Sequence, residues 1–261
     1  MKLEDYPPQE PLSEAGQAYS AECWRRSAGI AFREEAFGPN PYQRLAIFEP
    51  AKPDGAVLLF WHGGGWTSGY KEWMGFMAPP FNAAGVTFIS AGYRLAPQHV
   101  FPVGLEDCMS ALEWVGRNIG GAIFIGGHSA GGHYAALIAV QRNQHGIRGC
   151  LPISGVYEFG EGSGLSARPR FLGADPQNDR RASPRYNLEP PLPPFLVAYG
   201  TRDFPHLVAQ AQRFVPAVRA AGGVAEELAM PERSHFTASY AGGEADGPWV
   251  PAAIDFMRRS S

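Results

Sequence analysis

One short stretch near the middle of the chain constrains most strongly what it can fold into. Residues 122–125 are apolar and typical of a buried strand, and residues 130–141 are apolar enough for a buried helix. Between them lies Gly127–Gly131, with the sequence Gly-His-Ser-Ala-Gly. A sharp turn from strand to helix strains its central residue and leaves room only for glycine on both flanks. The pattern predicts a raised Ser129 hydroxyl beside the Ala130 amide; a glycine-rich turn with a surface serine is the alternative.

The segments on both sides of this turn alternate between strand and helix patterns. A continuous apolar run such as 55–61 is typical of a central strand that is covered on both faces. This alternation predicts an α/β fold with a mostly parallel central sheet and helices on both faces. The predicted strands are 43–49, 55–61, 86–91, 122–125, 149–154, 195–200 and 225–230, and the predicted helices are 19–35, 105–118, 130–141, 205–221 and 248–259.

The chain has 261 residues and no linker that would divide it, so we expect a single α/β domain over residues 17–261. Residues 1–16 contain several prolines and few apolar groups, which predicts a flexible N-terminal arm. Residues 159–187 lack sustained periodicity, as an insertion does, and include a candidate short helix at 179–185. An insertion at this level of a sheet tends to cover the site at the carboxyl ends of the strands; a long surface loop is the alternative.

Composition excludes several classes of protein and partner. With 45% hydrophobic and 18% charged residues, the chain suits a globular protein with a sizeable core. A net charge of −3 without a basic run argues against nucleic acid as a partner. Three widely spaced cysteines suit reduced core thiols. The acidic start has no apolar signal region and no stretch reaches the length of a membrane span, so we expect a cytoplasmic protein without membrane contact.

A serine hydroxyl becomes a nucleophile near neutral pH only with a base in hydrogen-bond reach and a carboxylate behind that base. In sheets of this kind the expected order along the chain is serine, acid, histidine. Asp203 follows the predicted strand 195–200, and His235 follows the next one. Taken singly, Asp203 could cap the helix near Pro205 and His235 could be a loop histidine. Their order at successive strand ends favours a triad of Ser129, Asp203 and His235.

Three consecutive glycines follow the predicted strand 55–61, within His62–Trp66. Because glycine has no Cβ, such a loop lets backbone N–H groups face a cavity, and this type of motif accompanies the Gly-x-Ser-x-Gly turn. We therefore predict an oxyanion hole formed by the amides of Gly64, Gly65 and Ala130. A flexible surface loop is the other interpretation.

The remaining histidines and glycines support weaker interpretations. Gly63 is the alternative to one of the two glycine donors, and His62 is expected to be a hydrogen-bonded structural residue. His128 and His133 flank the serine turn, but their spacing does not put both on one helix face and no ligand motif accompanies them, so no metal is expected. Residues 126–132 lack both the Gly-x-Gly-x-x-Gly pattern and the Gly-Lys-Ser/Thr ending of nucleotide-binding loops, so no cofactor is expected.

Several aromatic residues lie close in sequence to the predicted site and are candidates for its walls. An apolar pocket with a few convergent polar groups is the usual form of a small-molecule site, although each aromatic residue could equally belong to the core. Our substrate-pocket candidates are Trp66, Tyr157, Phe204 and Phe236, with Trp73 and Phe76 as further aromatic neighbours.

With these motifs, the chain from about residue 19 to its end resembles the α/β-hydrolase superfamily. Within it, the chain resembles the group of kynurenine formamidases (arylformamidases) and hormone-sensitive-lipase-like carboxylesterases. The turn around His128 and the early segments Tyr19–Trp24 and Gly38–Pro41 are similar to formamidases, whereas the triple glycine and Tyr93–Pro97, followed by Phe101-Pro102, are closer to esterases. The resemblance implies an α/β-hydrolase fold and the same Ser129, Asp203 and His235.

The residues and the resemblance together predict a serine hydrolase that cleaves a small carboxylic ester or an N-formylkynurenine-like aryl formamide through an acyl-enzyme. The expected partner is a small ester or amide substrate, and a homodimer is a candidate assembly. Two alternatives have different functions. One is a non-catalytic ligand-binding protein of the same fold, and the other is an acyltransferase or thioesterase that uses the same triad.

Overall fold

The computed structural model describes residues 3–141, 146–165 and 169–260, so residues 1–2 of the predicted arm and 166–168 of the predicted insertion lie outside it. One eight-stranded sheet forms the centre. Its strands are β1 (Arg33–Ala36), β2 (Arg44–Phe48), β3 (Ala56–Trp61), β4 (Thr87–Ala91), β5 (Ala122–His128), β6 (Gly149–Ile153), β7 (Phe195–Arg202) and β8 (Ala225–Ser234). Their order is β1-β2-β4-β3-β5-β6-β7-β8; β2 is antiparallel to both of its neighbours, and the other pairings are parallel.

Helices connect the strands and lie on the sheet. They are α1 (Glu14–Ser27), α2 (Ala78–Ala83), α3 (Val103–Asn118), α4 (Ala130–Val140), α5 (Asn178–Arg181), α6 (Pro205–Ala220), α7 (His235–Tyr240) and α8 (Val250–Ser260). The predicted α/β class with a mostly parallel sheet is therefore confirmed. Every helix within the described ranges is too short or too polar to span a membrane.

The sheet separates two apolar clusters, one on each face. In β3, Val57 and Leu59 belong to one cluster, whereas Leu58 and Phe60 belong to the other. Successive side chains of a strand point to opposite faces, so a strand that is covered on both sides needs apolar residues at every position. Full burial of each such side chain contributes roughly 1.5–3 kcal/mol to folding. The free thiols of the chain are buried as well, as expected from their apolar surroundings: Cys23, Cys108 and Cys150.

The first helix differs from the predicted helix over residues 19–35. It begins at Glu14, because the Oγ of Ser13 caps it by accepting a hydrogen bond from the Gly16 amide at 3.2 Å. It ends at Ser27, two residues before Gly29, which has a φ of +76°. The charged residues that follow form the edge strand β1. Because an edge strand exposes charged side chains to solvent, it lacks the apolar pattern from which strands are predicted.

Part of the N-terminal segment is held by specific contacts. Tyr6 is buried, and its hydroxyl donates a hydrogen bond to the Glu72 carboxylate at 3.0 Å. The buried Lys71 ammonium donates to the Tyr6 hydroxyl at 2.9 Å and pairs with Glu34 at 2.9 Å. Buried charges require partners of this kind. The side chain of Gln9 also exchanges two hydrogen bonds with the backbone of Gly69, at 3.0 and 2.8 Å, so this packing differs from the flexible arm that the prolines suggested.

Candidate active site

Ser129 lies on the sharp turn between β5 and α4, at the carboxyl end of a central strand. Its backbone is at φ 54° and ψ −115°, a strained conformation for a residue with a side chain. A Cβ at Gly127 would lie 2.2 Å from the backbone carbon of Gly131, and a Cβ at Gly131 would lie 2.1 Å from the carbonyl oxygen of Trp61. Such contacts are too short to exist. The tightness of the turn itself therefore requires Gly127, and the packing of β3 against the turn requires Gly131.

Two further loops bring an imidazole and a carboxylate to Ser129. Asp203 directly follows β7, and His235 directly follows β8 as the first residue of α7. The Nε2 atom of His235 lies 2.9 Å from Ser129 Oγ, and its Nδ1 atom lies 2.9 Å from Asp203 Oδ1. These are hydrogen-bond distances, so the three side chains form one connected series. Such a series can take the proton from the serine hydroxyl and stabilise the resulting imidazolium.

Local hydrogen bonds fix both partners of the serine. Ser234 and Thr237 form a capping box at the start of α7, in which the Thr237 hydroxyl accepts a hydrogen bond from the Ser234 amide at 2.7 Å. The Phe204 amide donates to Asp203 Oδ1 at 2.6 Å. Burial raises the pKa of Asp203, but hydrogen bonds from the His235 ring and the Phe204 amide, with the electrostatic interaction with that ring, outweigh it and hold the pKa below its usual range. The carboxylate therefore stays ionised near neutral pH.

The glycine loop after β3 lies against the serine turn. Gly64 and Gly65 have φ values of +114° and +62°, and a Cβ at Gly64 would lie 1.9 Å from the Ser68 carbonyl oxygen. Both glycines line the same cavity as Ser129. Within the described residues, the amides of Gly64, Gly65 and Ala130 donate to no protein acceptor. Ala130 also stands at the N-terminus of α4, where the helix dipole favours negative charge. The loop and the helix can thus stabilise an oxyanion.

The cavity in front of Ser129 is small and has apolar walls. It encloses about 250 Å³, and its described lining contains no Asp, Glu, Lys or Arg. Residues of α1 and of the segment before it form one wall, so this helix lies over the pocket. The lining residues are Leu12, Ser13, Gly16, Tyr19, Gly64, Gly65, Trp73, Ser129, Phe204, His235 and Phe236.

The four aromatic pocket candidates divide into two pairs. Phe204 and Phe236 line the cavity. Tyr157 does not, because it is fully buried and stacked on Phe214 at a centroid distance of 4.3 Å. Trp66 does not either; its indole stacks on Phe171 at 4.2 Å. The prediction that Trp66 and Tyr157 form pocket walls is corrected accordingly, since both side chains point into the core.

The predicted insertion supports Trp66 from behind. Its described part, residues 159–165 and 169–187, contributes Phe159 and Phe171 to the aromatic packing around that indole. None of these described residues lines the cavity, whose outer wall comes from α1 instead. The contribution of Leu12, Gly16 and Tyr19 was not predicted. Helical spacing over residues 19–35 indicated a helix there, but the pattern gave no position for residues before Tyr19.

Three completely buried histidines surround the site without being part of the hydrogen-bonded series. His62 Nδ1 donates to the Gly63 carbonyl at 2.7 Å, which agrees with the structural role expected for it. His128 Nε2 donates to the carbonyl of His235 at 3.0 Å, and His133 Nε2 donates to the carbonyl of Ala182 at 2.7 Å. Burial lowers the pKa of His62, His128 and His133 to about 4, 3 and 4, so all three are neutral. The described chain contains no group of three or more potential metal ligands.

Comparison with known proteins agrees with this architecture. A model of the α/β-hydrolase fold family matches residues 58–238. Esterase LipC of Mycobacterium tuberculosis is 31% identical over 223 residues, which are 72% of this chain and 55% of LipC. Kynurenine formamidase of Salmo salar is 29% identical over 132 residues, or 47% of this chain and 45% of that enzyme. The chain thus spans about half the length of these relatives.

Solved structures show the same fold. The crystal structure of a hormone-sensitive lipase from a metagenome library superposes with a TM-score of 0.80 at 21% identity, covering 97% of this chain and 94% of the other. The matched family model includes the glycine loop, the serine turn and the loops that carry Asp203 and His235. The resemblance inferred from the motifs is confirmed: the chain belongs to the family of α/β hydrolases.

Proposed function

We propose that the protein is a serine hydrolase that cleaves small, uncharged carboxylic esters through an acyl-enzyme. The observation that carries this proposal is the pair of 2.9 Å contacts that join Ser129, His235 and Asp203 beside a partly open cavity. The similarity to a protein named esterase supports the same reaction class. Ser129 is the nucleophile, His235 is the general base and acid, and Asp203 fixes the orientation of the imidazole.

The reaction begins when Ser129 Oγ attacks the carbonyl carbon of the ester and His235 Nε2 accepts the hydroxyl proton. The resulting tetrahedral intermediate carries its negative charge on the former carbonyl oxygen. When the carbon–oxygen bond to the alcohol breaks, His235 returns the proton to the leaving oxygen, and an acyl group stays on Ser129. Water then attacks in the same way, which releases the acid and restores the serine.

The amides of Gly64, Gly65 and Ala130 hold the oxyanion in this mechanism. Their N–H groups have no protein acceptor within the described chain, so an incoming oxyanion does not have to displace an existing bond. They belong to a loop and a helix start that are fixed before substrate arrives, and donors of this kind stabilise the transition state more than the ground state. Loss of a single donor typically costs about 10²–10³-fold in kcat.

The cavity determines the class of substrate. About 250 Å³ is at the small end for a ligand site, which typically has roughly 300–1,000 Å³. Its walls include Tyr19, Trp73, Phe204 and Phe236 but no described charged side chain, and burial of an unpaired charge is costly. Short acyl groups on uncharged, flat alcohols therefore fit better than charged or long-chain esters.

An uncharged aryl formamide is the second candidate substrate. The similarity to a protein named kynurenine formamidase and the space for a minimal acyl group support it. N-Formylkynurenine itself carries an amino-acid zwitterion, for which the described cavity lining offers no ionic partner. Comparison of kcat/KM for phenyl acetate, formanilide and N-formylkynurenine separates these substrates. We expect phenyl acetate to be preferred and N-formylkynurenine to be the poorest; the opposite order would contradict the argument from the cavity.

Replacement of the nucleophile tests the reaction class. Ser129→Ala should lower kcat for phenyl acetate by about 10⁴–10⁶-fold, and it should abolish labelling by a fluorophosphonate probe. Near-full activity of this variant would refute the assignment. A wild-type protein that neither turns over esters nor reacts with the probe would instead indicate a ligand-binding protein. Preferential transfer of the acyl group to an added alcohol or thiol would indicate an acyltransferase or thioesterase.

A further inference from the structure

We propose that His133 is a positioning residue that holds Trp66, and through it the glycine amides, in place relative to Ser129. The inference rests on the proposed function, because it concerns the loop that would bind the oxyanion. It assigns a role to a buried histidine that transfers no proton in the proposed reaction.

The two ring nitrogens of His133 have different partners. The indole N–H of Trp66 donates to His133 Nδ1 at 3.1 Å, and His133 Nε2 donates to the Ala182 carbonyl at 2.7 Å. A carbonyl can only accept, so the proton is on Nε2 and Nδ1 is free to accept from the indole. The ring is completely buried, and burial keeps it uncharged. His133 is therefore locked in one tautomer with both nitrogens used.

Trp66 transmits this contact to the glycine loop. It directly follows Gly65, and its own backbone has a φ of +64°, which is uncommon for a residue with a large side chain. The indole is held on three sides: its N–H by His133, its face by Phe171 at 4.2 Å, and a tilted contact with Phe159 at 5.5 Å. These contacts maintain a strained backbone next to a predicted oxyanion donor.

The backbone of His133 also forms a hydrogen bond with the backbone of Ser129. The backbone N–H of His133 donates to the carbonyl of Ser129 at 2.9 Å, as the first hydrogen bond of α4. One residue thus contacts the serine turn through its backbone and the glycine loop through its side chain. The distance between the serine and the glycine amides therefore depends on the His133 ring, and a change of a fraction of an ångström at such donors affects the rate.

Two substitutions at this position separate the roles of the two nitrogens. His133→Asn keeps an acceptor oxygen near the Nδ1 position, whereas His133→Gln keeps a donor near Nε2 and loses that acceptor. Trp66→Phe removes the indole N–H from the other side of the bond. Trp249→Phe is the matched control, because the buried Trp249 indole N–H has no hydrogen-bond partner within the described residues and packs against Phe60 and Phe81 on the other face of the sheet.

The readouts are kcat and KM for phenyl acetate and the Ki of an aryl trifluoromethyl ketone, which forms a tetrahedral oxyanion on the serine. We expect His133→Gln and Trp66→Phe each to lower kcat and raise this Ki by about five- to tenfold, with KM changed less than about twofold. His133→Asn should retain most of the activity, and the double variant W66F/H133Q should be no worse than either single variant, because one bond is lost in both. Trp249→Phe should match the wild type.

Several outcomes would overturn the inference. The first is a wild-type kcat in folded His133→Gln and Trp66→Phe variants. The second is an increase in KM without a change in kcat, and the third is an equal decrease in kcat in His133→Asn and His133→Gln. If His133→Gln does not fold, the comparison of Trp66→Phe with Trp249→Phe decides, and equal kcat in that pair rejects the role. An inactive wild type that a fluorophosphonate does not label would refute the proposed function as well, whereas the other outcomes refute this inference alone.

Discussion

Mild acid should destabilise the native protein through the three enclosed histidines, His62, His128 and His133. Burial lowers their pKa to about 4, 3 and 4 in the folded state, whereas a histidine in an unfolded chain has a pKa of about 6.5. Between about pH 6.5 and pH 4 the unfolded chain therefore binds protons that the native state does not. Because the folded pKa values are depressed, the stability is fully present above pH 6.5 and is lost as the pH falls.

The magnitude follows from proton linkage. Each uncompensated proton lowers the free energy of unfolding by about 1.4 kcal/mol per pH unit. From pH 7 to pH 5 the loss is about 2 kcal/mol for each histidine and roughly 5–6 kcal/mol for the three together. Native domains are stable by roughly 5–15 kcal/mol, so a protein of ordinary stability would be close to unfolding at pH 5.

Urea unfolding at pH 7 and pH 5, followed by tryptophan fluorescence, measures this loss. We expect the free energy of unfolding to fall by roughly 5–6 kcal/mol between the two conditions. His133→Asn removes one of the titrating groups and should reduce the fall by about a third. Leu137→Ala is the matched control: this fully buried residue lies on the same helix, and its truncation should lower stability by about 2–5 kcal/mol at both pH values.

A fall of about 1 kcal/mol or less in the wild type would refute the reasoning, because it would mean that the buried histidines accept protons without unfolding. A control variant that changes the pH dependence as much as His133→Asn would also refute it. In that case the pH dependence would follow overall stability rather than the titration of specific rings.

Three further predictions concern the site. Asp203→Asn should lower kcat by about 10³–10⁴-fold with little change in KM, measured with phenyl acetate, and a loss under tenfold would contradict the role of the carboxylate. Gly131→Ala should lower the free energy of unfolding, measured in urea, by about 3 kcal/mol or more, because its Cβ would lie 2.1 Å from the Trp61 carbonyl oxygen. As a control, Gly116→Ala on the exposed face of α3 should leave this free energy unchanged or raise it. Phe236→Ala should open the cavity wall and raise KM for phenyl acetate by about threefold or more. The KM for ethyl acetate, the non-aromatic control, should rise less.

The sequence was most informative where backbone geometry restricts the residue type. Only glycine fits at Gly127 and Gly131, and the positive φ values of Gly64 and Gly65 favour glycine. Both the serine turn and the glycine loop can therefore be recognised from the local sequence. The positions of Asp203 and His235 follow from strand order, because parallel strands bring their carboxyl ends to the same edge.

The walls of the cavity could not be predicted in the same way. Trp66 and Tyr157 are near the site in sequence, yet both point into the core, because nearness along a chain does not fix the direction of a side chain. Leu12, just before α1, and Gly16, within α1, line the cavity although both are far from Ser129 in sequence, and no local pattern encodes that contact. The hydrogen bond between Trp66 and His133 likewise becomes visible only once the glycine loop is packed against α4.

His235 follows β8, which lies beside β7 at one end of the sheet in the described chain, whereas Ser129 follows β5 near the middle. A protein built in this way keeps its nucleophile near the centre of the sheet and its base beyond an edge strand, where local opening is expected to cost less free energy than in the centre. Fraying of that outer strand would separate the two while the centre remains intact. Catalytic activity would then be lost at a lower denaturant concentration than the fold as a whole, and its return during refolding would report the docking of β8.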